Sequence, residues 1–168
     1  MTAPAAITLI GMPGSGKSTV GRILAAQLGW TFIDGDSLIQ QREGKTLGAL
    51  RSDLGLDGFV EMEAQHMMSL ELEAIVLAPG GSVIYREDTM THLRSQGAIA
   101  HIDVPATELE TRLGDLAARG VIIRPGCTIA DLHAERAPLL ARYADVVVPG
   151  WGCSPEETVR QLREGLGL

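Results

Sequence analysis

Residues 11–18, GMPGSGKS, follow the apolar run Ile7-Thr8-Leu9-Ile10 directly and constrain the architecture more than any other stretch. Gly11, Gly16, Lys17 and Ser18 satisfy G-x-x-x-x-G-K-[S/T], a motif that requires a strand before it and a helix after it. In that setting glycines let successive backbone N–H groups turn inward around an anion, and the helix N-terminus adds partial positive charge. Lys17 then reaches the outer phosphates and Ser18 offers a hydroxyl to Mg²⁺. The candidate ATP contacts within the loop are Gly11, Gly14, Ser15, Gly16, Lys17, Ser18 and Thr19.

A chain opening with strand, phosphate loop and helix is expected to continue in βαβ units, and the rest of the sequence obliges. Short Val- and Ile-rich runs alternate with longer segments at helical spacing, the pattern of a parallel sheet. Strands are predicted near 6–10, 31–34, 74–78, 98–104 and 144–148. Helices are predicted over 17–28, 58–72, 87–96 and 106–117, with a last one starting after the cap Ser154 and the first-turn Pro155. Residues 42–57 and 119–127 fit neither periodicity. In α/β proteins such segments either cover a site or simply connect elements. At 168 residues the chain suits one domain with one core.

Composition narrows the function classes. The net charge of −7 and pI near 5.0 offer no basic stripe for nucleic acid. No window approaches a spanning length of apolar residues, and the N-terminal stretch lacks a charged leader pattern. Cys127 and Cys153 show no metal-ligand spacing, so a reduced, cytoplasmic protein is expected. His66, His92, His101 and His133 are scattered through separate elements, which argues against a metal cluster. Trp30 and Trp151 read as packing anchors. The absence of an Asn-Lys-x-Asp guanine reader leaves a compact small-molecule kinase as the favoured class.

The acceptor side is sought at the carboxyl ends of the strands, where open parallel sheets bind ligands. FIDGDSL, residues 32–38, puts Asp34 and Asp36 there, two apart on a chain read as extended and therefore aimed the same way. They suit a metal and an acceptor hydroxyl; the alternative for Asp36 is a cap for the segment from Ser37. Gly80 and Gly81, after the third strand, permit close backbone approach to a ligand. Arg136, at the mouth of a helix leading to the last strand, is either an exposed helix residue or a fork for a carboxylate or phosphate.

In order and separation, GMPGSGKST, FIDGD, GGSV, Arg124-Pro125 and RAPL at 136–139 resemble the shikimate kinase family, from about residue 7 to 148. The resemblance implies a nucleoside-monophosphate-kinase-type fold, a five-stranded parallel sheet of order 2-3-1-4-5 flanked by helices. It implies Lys17 on the phosphates, and Ser18 with Asp34, through water, on Mg²⁺. Asp36 would bind and orient the acceptor hydroxyl, as its base in one version. Arg124 would swing from a lid at 119–127 onto ATP, and residues 42–57 would serve as an acceptor-binding segment. Gly80, Gly81, Glu63 and Arg136 would line the acceptor pocket, and the likeness leans toward a monomer. FIDGD is also similar to the DGD of gluconate kinases, but GGSV and RAPL favour the shikimate kinase branch.

One departure bears on the acceptor. The arginine that in this family grips the shikimate carboxylate, within Phe-Arg-x-x-Glu, is Val60 here, between Phe59 and Glu63. The third glycine of the family's GGG is Ser82, and Pro79 precedes the pair. Losing one arm of a charged clamp typically removes about 1.5 to 3 kcal/mol, roughly ten- to over a hundredfold in affinity. With Asp36 and Glu63 then facing Arg136 alone, the site suits an acceptor bringing its own positive charge. Homoserine or another small hydroxy amino acid therefore stands beside shikimate as the expected acceptor, unless Arg51 or Arg86 replaces the missing charge. The reading from another class is a non-catalytic ATP-binding module, which has no need of Asp36, Glu63, Arg124 and Arg136.

Overall fold

A computed structural model describes residues 4–113 and 126–168. Its centre is a parallel sheet of five strands, β1 (Ala6–Ile10), β2 (Thr31–Asp34), β3 (Ile75–Ala78), β4 (Ala98–Asp103) and β5 (Val146–Pro149), in the order β2-β3-β1-β4-β5. The helices are α1 (Lys17–Leu28), α2 (Gly35–Glu43), α3 (Leu47–Met68), α4 (Glu87–Gln96), α5 (Ala106–Leu113), α6 (Ile129–Tyr143) and α7 (Pro155–Leu166). Among the described residues, no helix is long and apolar enough to cross a membrane.

The alternation of side chains along each strand sorts the core into two layers. Ile7 and Leu9 of β1 join Val20 and Leu24 of α1 and Val159 and Leu162 of α7 on one face. Ala6 and Ile10 pack on the other face with Phe59 and Met67 of α3, Met90 and Leu93 of α4, and Leu140 of α6. All five β1 residues are buried, as a central parallel strand covered on both faces requires. The sheet register, with Thr8 beside Leu77 and Asp34 beside Ala78, brings the carboxyl ends of β1, β2 and β3 together.

Several elements differ from the sequence expectation. Residues 35–43 form a helix where none is predicted, because Asp34 closes β2 and its side chain accepts from the Ser37 N–H as the cap of α2. Much of 42–57 is also helical, since α3 starts at Leu47 with Thr46 accepting from Ala49 N–H, and runs through a break at Gly55 (φ 68°, ψ −176°). This helix ends at Met68 rather than at 72. Met67 is in the core, whereas Met68 is exposed. Trp151 is 48% exposed, so packing does not account for it, whereas Trp30 packs against the α1 layer. Both cysteines are free.

Candidate active site

The phosphate loop leaves β1 and enters α1 through Gly14 (φ 77°) and Gly16 (φ 94°), backbone conformations that side-chain-bearing residues rarely adopt. Gly16 is the cap residue of α1 and supplies no side-chain oxygen, and the first turn holds no acidic residue. The helix N-terminus is thus left to an external anion. Lys17 Nζ donates to the carbonyl oxygens of Gly11 and Met12, each at 2.9 Å. Burial lowers its pKa from 10.5 to about 8, with Arg136 adding to the effect and Asp36, Asp34 and Glu63 opposing it. An anion in the cradle would add to those carboxylates and favour the charged ammonium.

Beside the loop, Ser18 Oγ donates to Asp34 Oδ2 at 2.7 Å, while Asp34 Oδ1 accepts from Ser37 N–H at 3.0 Å. Burial acts to raise the Asp34 carboxyl, but hydrogen bonds from the Ser37 N–H and the Ser18 hydroxyl outweigh it and hold the group below its ordinary value. An ionised carboxylate next to a hydroxyl is a hard-oxygen pair that fits Mg²⁺. The capping role considered for Asp36 belongs to Asp34 instead. Asp36 lies in the first turn of α2, not on an extended chain, and its side chain is left for the cavity. Burial, reinforced by the Asp34 charge, raises its pKa, against Lys17 and Arg51.

The phosphate loop and the residues expected on the acceptor side line one cavity of about 360 Å³, to which Lys17, Ser18, Asp34, Asp36, Glu63 and Arg136 all contribute. Gly80 and Gly81 lie against it for a steric reason. A Cβ at Gly80 would collide with Glu63 Oε1 and come within 2.9 Å of Asp36 Oδ1, and one at Gly81 would sit 2.5 Å from Arg136 Nη1. Glu63 is buried and Ser82 Oγ donates to its Oε2, while Oε1 has no hydrogen-bond partner. Burial pushes the Glu63 carboxyl up from 4.5 to about 7, a rise that Asp36 reinforces and that Ser82, Arg136 and Arg51 oppose.

Arg136 is 4% exposed, not the surface residue that its place in α6 allowed. Its Nε donates to Tyr85 Oη at 3.1 Å, and Tyr85 Oη donates to Glu135 at 2.5 Å. Arg136 Nη1 is buried without a hydrogen-bond partner. A desolvated guanidinium with an unsatisfied donor on a cavity wall suits an anionic group of a ligand.

Val60 does not line this cavity. It lines a neighbouring one with Tyr85, Arg86 and Leu132. Arg86 is paired with Glu61 and Asp88. Arg51, by contrast, enters the same cavity as Arg136. The charge balance behind the amino-acid acceptor therefore changes: Asp36 and Glu63 face Arg51 as well as Arg136, and the surplus of negative charge that would welcome an ammonium is gone.

Sequence reasoning missed the Ser82–Glu63 and Tyr85–Arg136 bonds, which join residues far apart in the chain and have no local signature. It also missed Arg112, which donates to Gly14 O at 3.3 Å and Gly150 O at 2.7 Å, tying the phosphate loop to the turn after β5. Arg124, and the lid from 119 to 125, lie outside the described residues.

Comparison with known proteins agrees with this geometry. The family model of shikimate kinase matches residues 13–166. The chain is 37% identical over 152 residues to the shikimate kinase of Nitratidesulfovibrio vulgaris, covering 86% of each protein. It is 34% identical over 164 residues to that of Corynebacterium glutamicum, covering 96% of each. It superposes with a TM-score of 0.87 on the shikimate kinase of Acinetobacter baumannii in complex with shikimate, at 27% identity over 99% of this chain and 94% of that one. A gluconokinase from Sinorhizobium meliloti shares the fold with a TM-score of 0.61 and 22% identity. The 2-3-1-4-5 sheet and these matches place the chain among small-molecule kinases that phosphorylate a hydroxyl, and the chain belongs to the shikimate kinase family.

Proposed function

We propose that this protein transfers the γ-phosphoryl group of ATP to a hydroxyl of shikimate, in the cytoplasm. The observation that carries the reading is Arg136: buried, with an unsatisfied Nη1, and on the wall of the cavity that also holds the phosphate loop. A carboxylate-bearing acceptor satisfies that donor, and a relative with 0.87 structural similarity is known with shikimate bound.

In this reading the acceptor carboxylate rests on Arg136 and its hydroxyl points to Asp36. The N–H groups of the phosphate loop and the Lys17 ammonium hold the triphosphate. The hydroxyl oxygen forms a bond to the γ-phosphorus as the bond to the β,γ-bridging oxygen breaks, and that electron pair leaves with ADP. Asp36, its pKa raised by burial, accepts the hydroxyl proton and returns it to solvent. Ser18 and Asp34 would hold Mg²⁺, which when bound neutralises charge on the phosphates. The enzyme's share is mainly alignment and charge stabilisation, since a loose phosphoryl-transfer transition state needs little covalent help. Arg124, by its resemblance, joins from the lid.

The test is coupled ADP release from MgATP with shikimate, L-homoserine, gluconate or L-serine, each at millimolar concentration, with the phosphoester identified by phosphorus NMR. Turnover above the ATP-alone background is expected with shikimate only. Turnover with homoserine and none with shikimate would overturn the reading, and silence with all four would return weight to a binding module.

A further inference from the structure

We infer that Arg51 supplies the second guanidinium that grips the acceptor carboxylate, together with Arg136 on the same cavity, so that the clamp has moved to a different position of α3 rather than been lost. The inference deepens the shikimate reading and rests on it. Three residues near the site bear on the second charge, the vacated position and two arginines, and their placement separates them. Val60 carries no charge and lines the neighbouring cavity. Arg86 is exposed to that neighbouring cavity and paired with Glu61 and Asp88. Arg51 alone of the three lines the cavity containing Lys17, Asp36, Glu63 and Arg136.

The position of Arg51 is itself built. It lies one helical turn after the capped start of α3 and before the Gly55 break. Its guanidinium carbon is 4.7 Å from the centre of the Phe59 ring, and Phe59 is 1% exposed and fixed in the core. Stacking on a fixed ring orients the guanidinium plane, and a guanidinium recognises a carboxylate in that plane. Arg51 is within electrostatic reach of Asp36, Glu63 and Arg136, and its own pKa is lowered by burial and by Arg136. A carboxylate within reach of both guanidiniums would be held by two charge-assisted contacts, which favours an acceptor that carries one.

The experiment measures kcat and KM for shikimate, for its uncharged methyl ester and for MgATP, in the wild type and in Arg51→Ala, Arg51→Lys and Arg51→Met. Arg51→Met keeps an apolar stem over Phe59 and guards against a variant that fails to fold. The expected result is a rise of roughly ten- to a hundredfold in KM for shikimate with Ala and Met, a smaller rise with Lys, and an unchanged KM for MgATP. The preference of the wild type for shikimate over the ester should shrink by the same factor. An unchanged KM for shikimate, or equal loss for acid and ester, would overturn the inference while leaving the shikimate reading standing. If the wild type itself fails to phosphorylate shikimate, both fall together, and that outcome is visible before any variant is assayed.

Discussion

The Ser82 hydroxyl donates to Glu63 Oε2 on the wall of the cavity that also holds Lys17, and the other carboxylate oxygen of Glu63 has no hydrogen-bond partner. A buried carboxyl held by one neutral donor is driven toward its protonated form, up to about 7 from 4.5. Between those values the folded protein binds a proton that the unfolded chain releases, so stability falls as pH rises through the window and the penalty is complete above pH 7. Its upper limit is about 3 kcal/mol. Glu63→Gln keeps an acceptor for Ser82 and removes the titration. The variant is expected to melt higher than the wild type at pH 8 and at the same temperature near pH 4.5. Parallel stability-versus-pH curves for the two proteins would contradict this.

Lys17 presents the opposite sign. Its pKa is lowered to about 8, so between 8 and 10.5 the unfolded chain binds the proton that the folded protein gives up. Stability contributed by this residue therefore rises with pH through that window, and keeping the charge at neutral pH is costly. Lys17→Met should abolish turnover, by at least about a hundredfold. In thermal melts at pH 7 it should be as stable as the ligand-free wild type or more so. The advantage should vanish near pH 10.5, where the neutral wild-type amine still donates to Gly11 and Met12. A variant that is inactive because it unfolds at pH 7 would refute this account.

Gly80 and its two carboxylate neighbours give a steric prediction. A Cβ there would overlap Glu63 Oε1 and approach Asp36 Oδ1, and buried Glu63 has little room to yield. Gly80→Ala is expected to cost about 1 to 3 kcal/mol of stability and to raise the acceptor KM at least about tenfold. The KM for MgATP should stay within about twofold, because the phosphate loop is not touched. Equal damage to both constants would point to a general collapse of the cavity.

How much of this was legible in the sequence follows from the range of the interactions. The phosphate loop and the β1–α1 unit rest on local motif and on strand patterning, whereas the sheet order is implied by the family resemblance; the chain settles all of them the same way, with α1 at 17–28 and β2 at 31–34 as predicted. Helix α2 was not legible because its signal is a single cap, Asp34 to Ser37, behind a segment of weak apolar periodicity. The place of Arg51 was not decidable either. Only the packing of α3, with Phe59 buried and Gly55 breaking the helix, determines which arginine reaches the cavity. The homoserine alternative depends on whether Arg51 or Arg86 replaces the charge vacated at Val60, and the fold weakens it by bringing Arg51, nine residues upstream, to the cavity wall.

Asp36 is expected to matter for the chemical step more than for binding. It lies in the first turn of α2 with no capping duty, so Asp36→Asn should leave the helix intact by circular dichroism. A lost general base lowers kcat by about 10² to 10⁴. Because burial raises the Asp36 pKa above its usual value, kcat/KM of the wild type should decline on the acid side as that group takes up a proton, and the limb should be absent from the residual activity of the variant. An unchanged acid limb would assign it to another group, with Glu63 the next to examine.

The pair Ser18 and Asp34 separates metal dependence from folding. Asp34 has two duties, since Oδ2 accepts from Ser18 and Oδ1 accepts from Ser37 N–H as the cap of α2. Asp34→Asn retains an oxygen for the cap and loses the charge, so helix content should be preserved. Ser18→Ala removes the hydroxyl and leaves the cap untouched. Both variants should need roughly ten times more Mg²⁺ for half-maximal rate at fixed ATP, about 1.4 kcal/mol of lost metal affinity, with the acceptor KM little changed. If the Mg²⁺ requirement stays at the wild-type level in both, the Ser18–Asp34 bond serves only to hold the end of β2 against α1.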